Sequence, residues 1–388
     1  MATLPPNFTL LQVVPDLDTG GAEQSTLDVA AAVVRAGGRA IVASRGGRMV
    51  ERLRKSGAEF IQLPVHSKNP FQIMANGDRL ADVIRSEAID VIHVRSRAPA
   101  FSAWLAAHRT DAVMVATYHG AYPAKTPWKR WYNSIMTRGS AVIANSAFTR
   151  EHLLSQHRVR RDKVVTIPRG VDLERFDAAA VSPRRVEQLR AAWRIDLDDR
   201  RVKILLPGRF TRLKGQLVLV QAAARLKARG RADFEVLLVG DDQGRSAYRV
   251  EVEHAIHDAG LAEVVRLYGH CEDMPAAYLL ADIVAAPSTV PETFGRTAVE
   301  PQAMGVPVAA SALGGLKETV APGKTGWLVT PDNPDALADI LEQAIDAGPE
   351  QRAAMGAAGR ERVRALYSVE AMTAATLELY AQVLERRR

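Results

Sequence analysis

One cysteine, Cys271, stands in a chain of 388 residues. A lone thiol excludes an intramolecular disulfide and agrees with a reducing compartment, so a cytoplasmic location is expected. No run of about 18 apolar residues occurs, so no membrane-spanning helix is expected. The opening Met-Ala-Thr-Leu-Pro-Pro-Asn has neither a charged leader nor a long apolar stretch, so no signal peptide is expected. The histidines and the cysteine are too scattered for a structural zinc site. Acidic residues are missing from 112 to 150, where Lys125, Lys129, Arg130, Arg138 and Arg150 are basic.

What is present narrows the reading. The length exceeds one typical domain, and two of ordinary size fit it best. An apolar content of 47% is enough for two sizeable cores. The net charge of +7 favours an anionic partner such as a nucleotide or an anionic membrane surface. In the acid-free stretch, Trp128, Lys129, Arg130 and Trp131 set aromatic and basic groups side by side. That is the composition of a helix lying on the inner face of a membrane. The competing reading is an ordinary surface helix with its aromatics turned inward. No nucleic-acid motif accompanies the charge, so no nucleic acid is expected.

Apolar runs at 8–14, 40–43, 60–63, 91–94, 113–117, 142–144 and 164–167 read as strands. Helical spacing at 22–36, 49–56 and 76–86 separates the early ones. A second series of strands follows at 203–206, 234–239, 264–267, 283–285, 306–309 and 326–329, with helices at 216–228, 334–347, 350–366 and 369–388. Alternation of this kind predicts an α/β protein with parallel sheets covered on both faces. The expected division is a first domain at 1–175, a linker at 176–200 and a second domain at 201–368.

Two motifs carry chemistry. Gly-Arg-Phe-Thr-Arg-Leu-Lys-Gly at 208–215 lies between a strand and a helix. Arg209 offers a planar fork for phosphate oxygens, and Lys214 a mobile point charge. Downstream, Pro-Glu-Thr-Phe-Gly-Arg-Thr-Ala-Val-Glu at 291–300 carries Glu292 and Glu300, acceptors for sugar hydroxyls. The Thr293-Phe294-Gly295 turn offers backbone N–H groups at a helix start, where phosphate is favoured. Taken singly, each charged pair is ordinary surface polarity. Asp241 and Asp242 follow a strand and read as a loop, so no metal is expected there.

The order of these motifs, with Gly-Val-Pro-Val after them, resembles the retaining glycosyltransferases of family 4 over most of the chain. The resemblance implies a GT-B architecture of two doubly wound Rossmann-like domains facing an interdomain cleft, the last helix, 369–388, crossing back to the first. It implies transfer of a hexosyl group from a nucleoside-diphosphate sugar to a hydroxyl, with retention and with no required metal or other cofactor. Arg209 and Lys214 would bind the diphosphate, with Gly208 opening their loop. Glu292 would hold the donor sugar and Glu300 the ribose. Gly21, in Asp-Thr-Gly-Gly at 18–21, would contact the donor, and His119 would line the reacting centre. The loop holding His270 and Met274 would lie against the base. The family has Glu-Ala where this chain has Glu300-Pro301. A proline inside a helix removes a hydrogen bond and costs roughly 3 kcal/mol, so the helix is expected to kink there or to begin later.

A lipid-linked or envelope-glycan acceptor is expected, with lipopolysaccharide assembly as the leading case and a UDP-sugar favoured over GDP-mannose. Two other readings are an epimerase acting on the donor and a non-catalytic binding protein of the same fold. The first needs an acid/base set that the motifs lack. The second would be expected to have lost some of the charged donor residues.

Overall fold

A computed structural model describes residues 4–18, 20–122, 126–244 and 246–387; Lys125 lies outside them. The chain divides into two compact units, Met1–Gly170 with Val369–Arg388, and Val171–Ser368. Val171 and Ser368, the two ends of the second unit, pair as an isolated bridge.

The first unit holds strands β1 (Thr9–Val13), β2 (Arg39–Ser44), β3 (Glu59–Gln62), β4 (Val91–Val94), β5 (Val113–Tyr118), β6 (Ala141–Ala144) and β7 (Val164–Thr166). They form one parallel sheet in the order β3-β2-β1-β4-β5-β6-β7. Side chains alternate between faces. Leu11 and Val13 enter one core layer, and Phe8 and Leu10 the other. The helix Val369–Glu385 closes that second layer with Met372, Leu379 and Tyr380.

The second unit repeats the plan with β8 (Val202–Pro207), β9 (Phe234–Val239), β10 (Val265–Tyr268), β11 (Ile283–Ala286), β12 (Val308–Ser311) and β13 (Gly326–Val329). Their order is β10-β9-β8-β11-β12-β13, again all parallel. Both sheets are doubly wound α/β structures. In each the winding reverses beside the first strand, between β1 and β4 and between β8 and β11. Loops leaving the strands at such a reversal splay apart and leave room for a ligand.

Boundaries differ from expectation at several points; the first unit, for one, ends its first segment at Gly170 and not at 175. Residues 176–200, expected as a charged helical linker region, lie within the second unit. They hold the helix Pro183–Ala192 and lodge Phe176, Trp193 and Ile195 in the second unit's core. Strand β12 starts two residues later than expected, because Pro307 has no N–H for the ladder. The third helix starts at Pro70 instead of 76. There Asn69 accepts from the N–H groups of Phe71 and Gln72, and Pro70 takes the first helical position, where its missing donor costs nothing.

Candidate active site

In the second unit, the chain leaves β8 through Gly208 and is pinned to the next strand. Gly208 N–H donates to the Val239 carbonyl and Phe210 N–H to Asp241. Phe210 is buried and anchors the loop, while Arg209 is exposed, with NH1 3.2 Å from Gln243 Oε1. A short helical turn, Arg212–Lys214, ends at Gly215 with φ of 75°, and the helix Gln216–Ala228 begins. A Cβ on Gly215 would stand 1.9 Å from the Pro287 carbonyl oxygen, so this crossing requires glycine.

The loop leaving β11 meets it. Thr289 N–H donates to the Leu213 carbonyl and its hydroxyl to the Arg212 carbonyl. This brings Lys214 Nζ to 2.7 Å from Glu292 Oε1, which also accepts from Ser288 Oγ at 2.5 Å. The Lys214 and Glu292 side chains keep 22% and 17% exposure, enough for contact with a ligand but too little for full hydration. The Glu292 backbone is held from behind, its carbonyl accepting from Gly315 N–H at 2.7 Å. A cation, a carboxylate and a hydroxyl thus stand at the winding reversal of the second sheet.

The helix Arg296–Ala303 opens at Gly295, whose φ is 92°. It does not begin beyond Pro301 but runs through it, so the missing donor leaves the Thr297 carbonyl without its helical partner. Glu300 therefore sits within the helix. It is buried and accepts from Arg296 on its own helix and from Tyr278 OH at 3.1 Å. Burial and the neighbouring Glu300 push the Tyr278 phenol well above its usual range. Thr293 lies partly buried beside Glu292, while the Phe294 side chain turns inward, edge-on to Tyr367 at 5.7 Å. His270 is exposed. Met274 starts a short helix packed on the second core, capped by Asp273, which pairs with Arg185 at 2.6 Å.

The first unit gathers a different set. His119 follows β5, Asn145 follows β6 and Arg169 follows β7, and with His93, Arg95 and Thr117 they line a small cavity. Its room, about 20 Å³, is that of a single water. Gly21 begins the helix Gly21–Arg35, whose Ser25 reaches the same cavity. Arg169 NH2 lies 3.0 Å from His119 Nδ1. Behind them runs a buried chain, Tyr380 OH to His93 Nδ1 at 2.5 Å and His93 Nε2 to Thr117 Oγ1 at 2.7 Å. Arg95, 4% exposed, donates twice to the Gln12 amide oxygen. Burial drops its guanidinium to about 10. Burial, then Arg169 and Arg95, hold His119 well below the usual imidazole range.

Sequence reading missed Arg95, Arg169, Ser288 and Tyr278. Arg95, Arg169 and Ser288 follow strand ends, a position that marks them as candidates in any doubly wound sheet. Tyr278 carried no such signal. On the first unit, Trp128 and Trp131 are 69% and 47% exposed and stack on each other with centroids 4.8 Å apart. Lys129 and Arg130 between them are exposed, so this helix, Pro127–Ser134, does not turn those tryptophans into the core. Nearby, Phe101 packs on Trp131, and its neighbour Ser102 binds the Ile73 carbonyl of the helix Pro70–Ser86. That helix shows Phe71, 84% exposed, and Met74. Among the described residues no helix is long and apolar enough to cross a membrane, and no group of three or more metal-ligating side chains is gathered.

Comparison with known proteins agrees with this architecture. The family model "Glycosyltransferase Family 4" matches residues 19–175, and "Glycosyl transferases group 1" matches 187–362. The crystal structure of a glycosyltransferase from Rickettsia africae ESF-5 is 36% identical, with a TM-score of 0.90, covering 98% of this chain and 99% of that one. A D-inositol 3-phosphate glycosyltransferase of Xylanimonas cellulosilytica is 29% identical over 95% of this chain and 93% of its own. Anabaena HepE, crystallised in complex with UDP, is 22% identical with a TM-score of 0.83, covering 97% and 100%.

Proposed function

The chain belongs to glycosyltransferase family 4, and from that premise we propose that its second unit holds a nucleoside-diphosphate sugar through Arg209, Lys214, Glu292 and Glu300. The observation that carries this reading is the Lys214–Glu292–Ser288 group at the winding reversal. An ammonium has three donors. Glu292 takes one and orients the charge, and the others remain for phosphate oxygens. Glu292 keeps a second oxygen for a sugar hydroxyl. Glu300 sits deeper and suits the ribose. Gly208, Thr293 and Gly295 bring backbone close to the phosphates, with the Phe294 side chain fixing that turn from inside the core. His270 and Met274 flank the base.

Transfer proceeds with retention and without a metal. The bond from the anomeric carbon to the diphosphate breaks as the acceptor oxygen bonds to that carbon from the same face. The acceptor proton passes to the leaving phosphate. Arg209 and Lys214 stabilise the charge gathering there, a kind of preorganised contribution that is often worth 10²–10³ in rate. Titration calorimetry of the protein without added metal, with UDP and separately GDP, tests the donor. UDP goes first because HepE, of the same fold, was crystallised with it. Binding of UDP that Lys214→Ala weakens supports the reading. Binding of neither nucleotide overturns it.

The acceptor is a lipid-linked or envelope glycan, of which lipopolysaccharide is one case, reached by a protein resting peripherally on the cytoplasmic membrane face. Exposed Trp128 and Trp131 with Lys129 and Arg130 favour this, since interfacial aromatics and flanking cations suit an anionic bilayer surface. Binding to anionic vesicles should fall with salt and be lost in Lys129→Glu/Arg130→Glu; absence of vesicle binding rejects it. A second reading, a small phosphorylated acceptor, is favoured by the D-inositol 3-phosphate glycosyltransferases among the relatives.

A further inference from the structure

Arg169 lies in Pro-Arg-Gly-Val-Asp at 168–172, which reads in sequence as a boundary turn. Its guanidinium nitrogen NH2 stands 3.0 Å from His119 Nδ1. Guanidinium groups have donors and no acceptor. Nδ1 must therefore be the acceptor, and the single proton of the neutral ring belongs on Nε2. We infer that Arg169 is a positioning residue that locks His119 in the Nε2–H tautomer, making His119 a hydrogen-bond donor toward a substrate oxygen and not a general base. Only the identity of that oxygen rests on the function proposed above.

Three independent features support the lock. The guanidinium has little freedom. A Cβ on Gly21 would stand 2.2 Å from Arg169 NH1, so the glycine that opens the first helix leaves the space the arginine fills. The ring's backbone is tied as well, with the His119 carbonyl accepting from Asn145 Nδ2 at 3.4 Å. Finally, a proton on Nδ1 would add a third cation to the site. His119 is faced by Arg169 and Arg95, with His93 behind them and Tyr122 on the following loop. Among the described residues Glu23 interacts with Arg169 and Asp28 with Arg95, and the Glu23 carboxyl is itself pushed up by burial. The arrangement favours a neutral ring with its lone pair already committed.

A base needs that lone pair for the acceptor's proton. With Nδ1 committed to Arg169 and Nε2 protonated, His119 has none to give, which leaves the departing phosphate to take the proton. The nitrogen shifts of histidine tautomers differ enough to read directly. Long-range proton–nitrogen correlation spectra of ¹⁵N-histidine protein, with His119 assigned through His119→Gln, need no substrate. They stand apart from the transfer reaction if that reading fails. Wild type should show the Nε2–H pattern from pH 5.5 to 8 with no imidazolium. Arg169→Met should release Nδ1, giving mixed tautomers and a titration moved toward the usual imidazole range. Arg169→Lys, which restores a donor, should restore the Nε2–H pattern. A wild-type Nδ1–H pattern overturns the inference, as does an Arg169→Met spectrum identical to wild type.

Discussion

Lys214 meets Glu292, and Arg296 meets Glu300, at the carboxyl ends of the second sheet's strands. At the matching edge of the first sheet, Arg95 meets the neutral amide of Gln12 and Arg169 donates to an imidazole. The winding is the same but the hydrogen-bond partners differ, carboxylates in the second unit and an amide and an imidazole in the first, where Asp28 and Glu23 act on Arg95 and Arg169 through space. Ion pairs with partial exposure can trade one partner for a ligand of like charge at little cost, because each ion already pays part of its dehydration. A buried guanidinium hydrogen-bonded to an amide or an imidazole is disturbed when a neighbouring ring gains a proton. The second unit is thus built for exchange, and the first depends on the protonation state of its histidines.

The largest effect should come from breaking the exchange. Lys214→Ala is expected to lower transfer at least 100-fold while circular dichroism and the unfolding midpoint stay near wild type, since Glu292 keeps Ser288 and some water. Near-normal turnover would remove the second unit's side of the contrast. Acid should act on the other side. His93 and His119 have folded-state values well below the unfolded one, so between the two values the unfolded chain binds more protons. Stability is therefore full above the unfolded value of about 6.5 and falls as pH drops below it, by up to about 1.4 kcal/mol per pH unit for each ring. His157 in the same unit is shifted the same way, whereas the second unit's His254, His257 and His270 are exposed. Hydrogen exchange at pH 7.5 and 5.5 should show the first unit loosening more than the second; equal loosening contradicts the comparison.

Smaller effects sharpen it. Gly314 has φ of 53°, and a Cβ there would stand 2.3 Å from the Glu292 carbonyl oxygen. Gly314→Ala should displace the Glu292 backbone, lowering donor affinity about tenfold and stability by about 1–2 kcal/mol; unchanged nucleotide affinity by calorimetry would show that the Glu292 loop yields freely. Tyr380→Phe removes the hydroxyl that His93 Nδ1 faces and should cost about 1 kcal/mol, read from the denaturant midpoint.

Sequence made the second unit's motifs legible because their chemistry is local. Arg209 and Lys214 share the segment after β8, Glu292 and Glu300 the loop and helix after β11, and the adjacent strands β8 and β11 bring the two together. The doubly wound plan was equally readable, from apolar runs buried on both faces. Single residues scattered over strand ends were not. Arg95 and Arg169 carry no motif, and only the sheet order aligns them. The helix start marked by Asn69-Pro70 was readable but went unread, which lost the first six residues of that helix.

The helix Val369–Glu385 sets a timetable for biosynthesis. Tyr380 lies 287 residues after the His93 it holds. The layer of Phe8 and Leu10 emerges from the ribosome early and is covered only in part, by the helix Gly21–Arg35, until all of Val171–Ser368 has been made, roughly 10–40 s at ribosomal speed. The half that is begun first is sealed last, and during that interval its sticky face is the business of whatever escorts nascent chains.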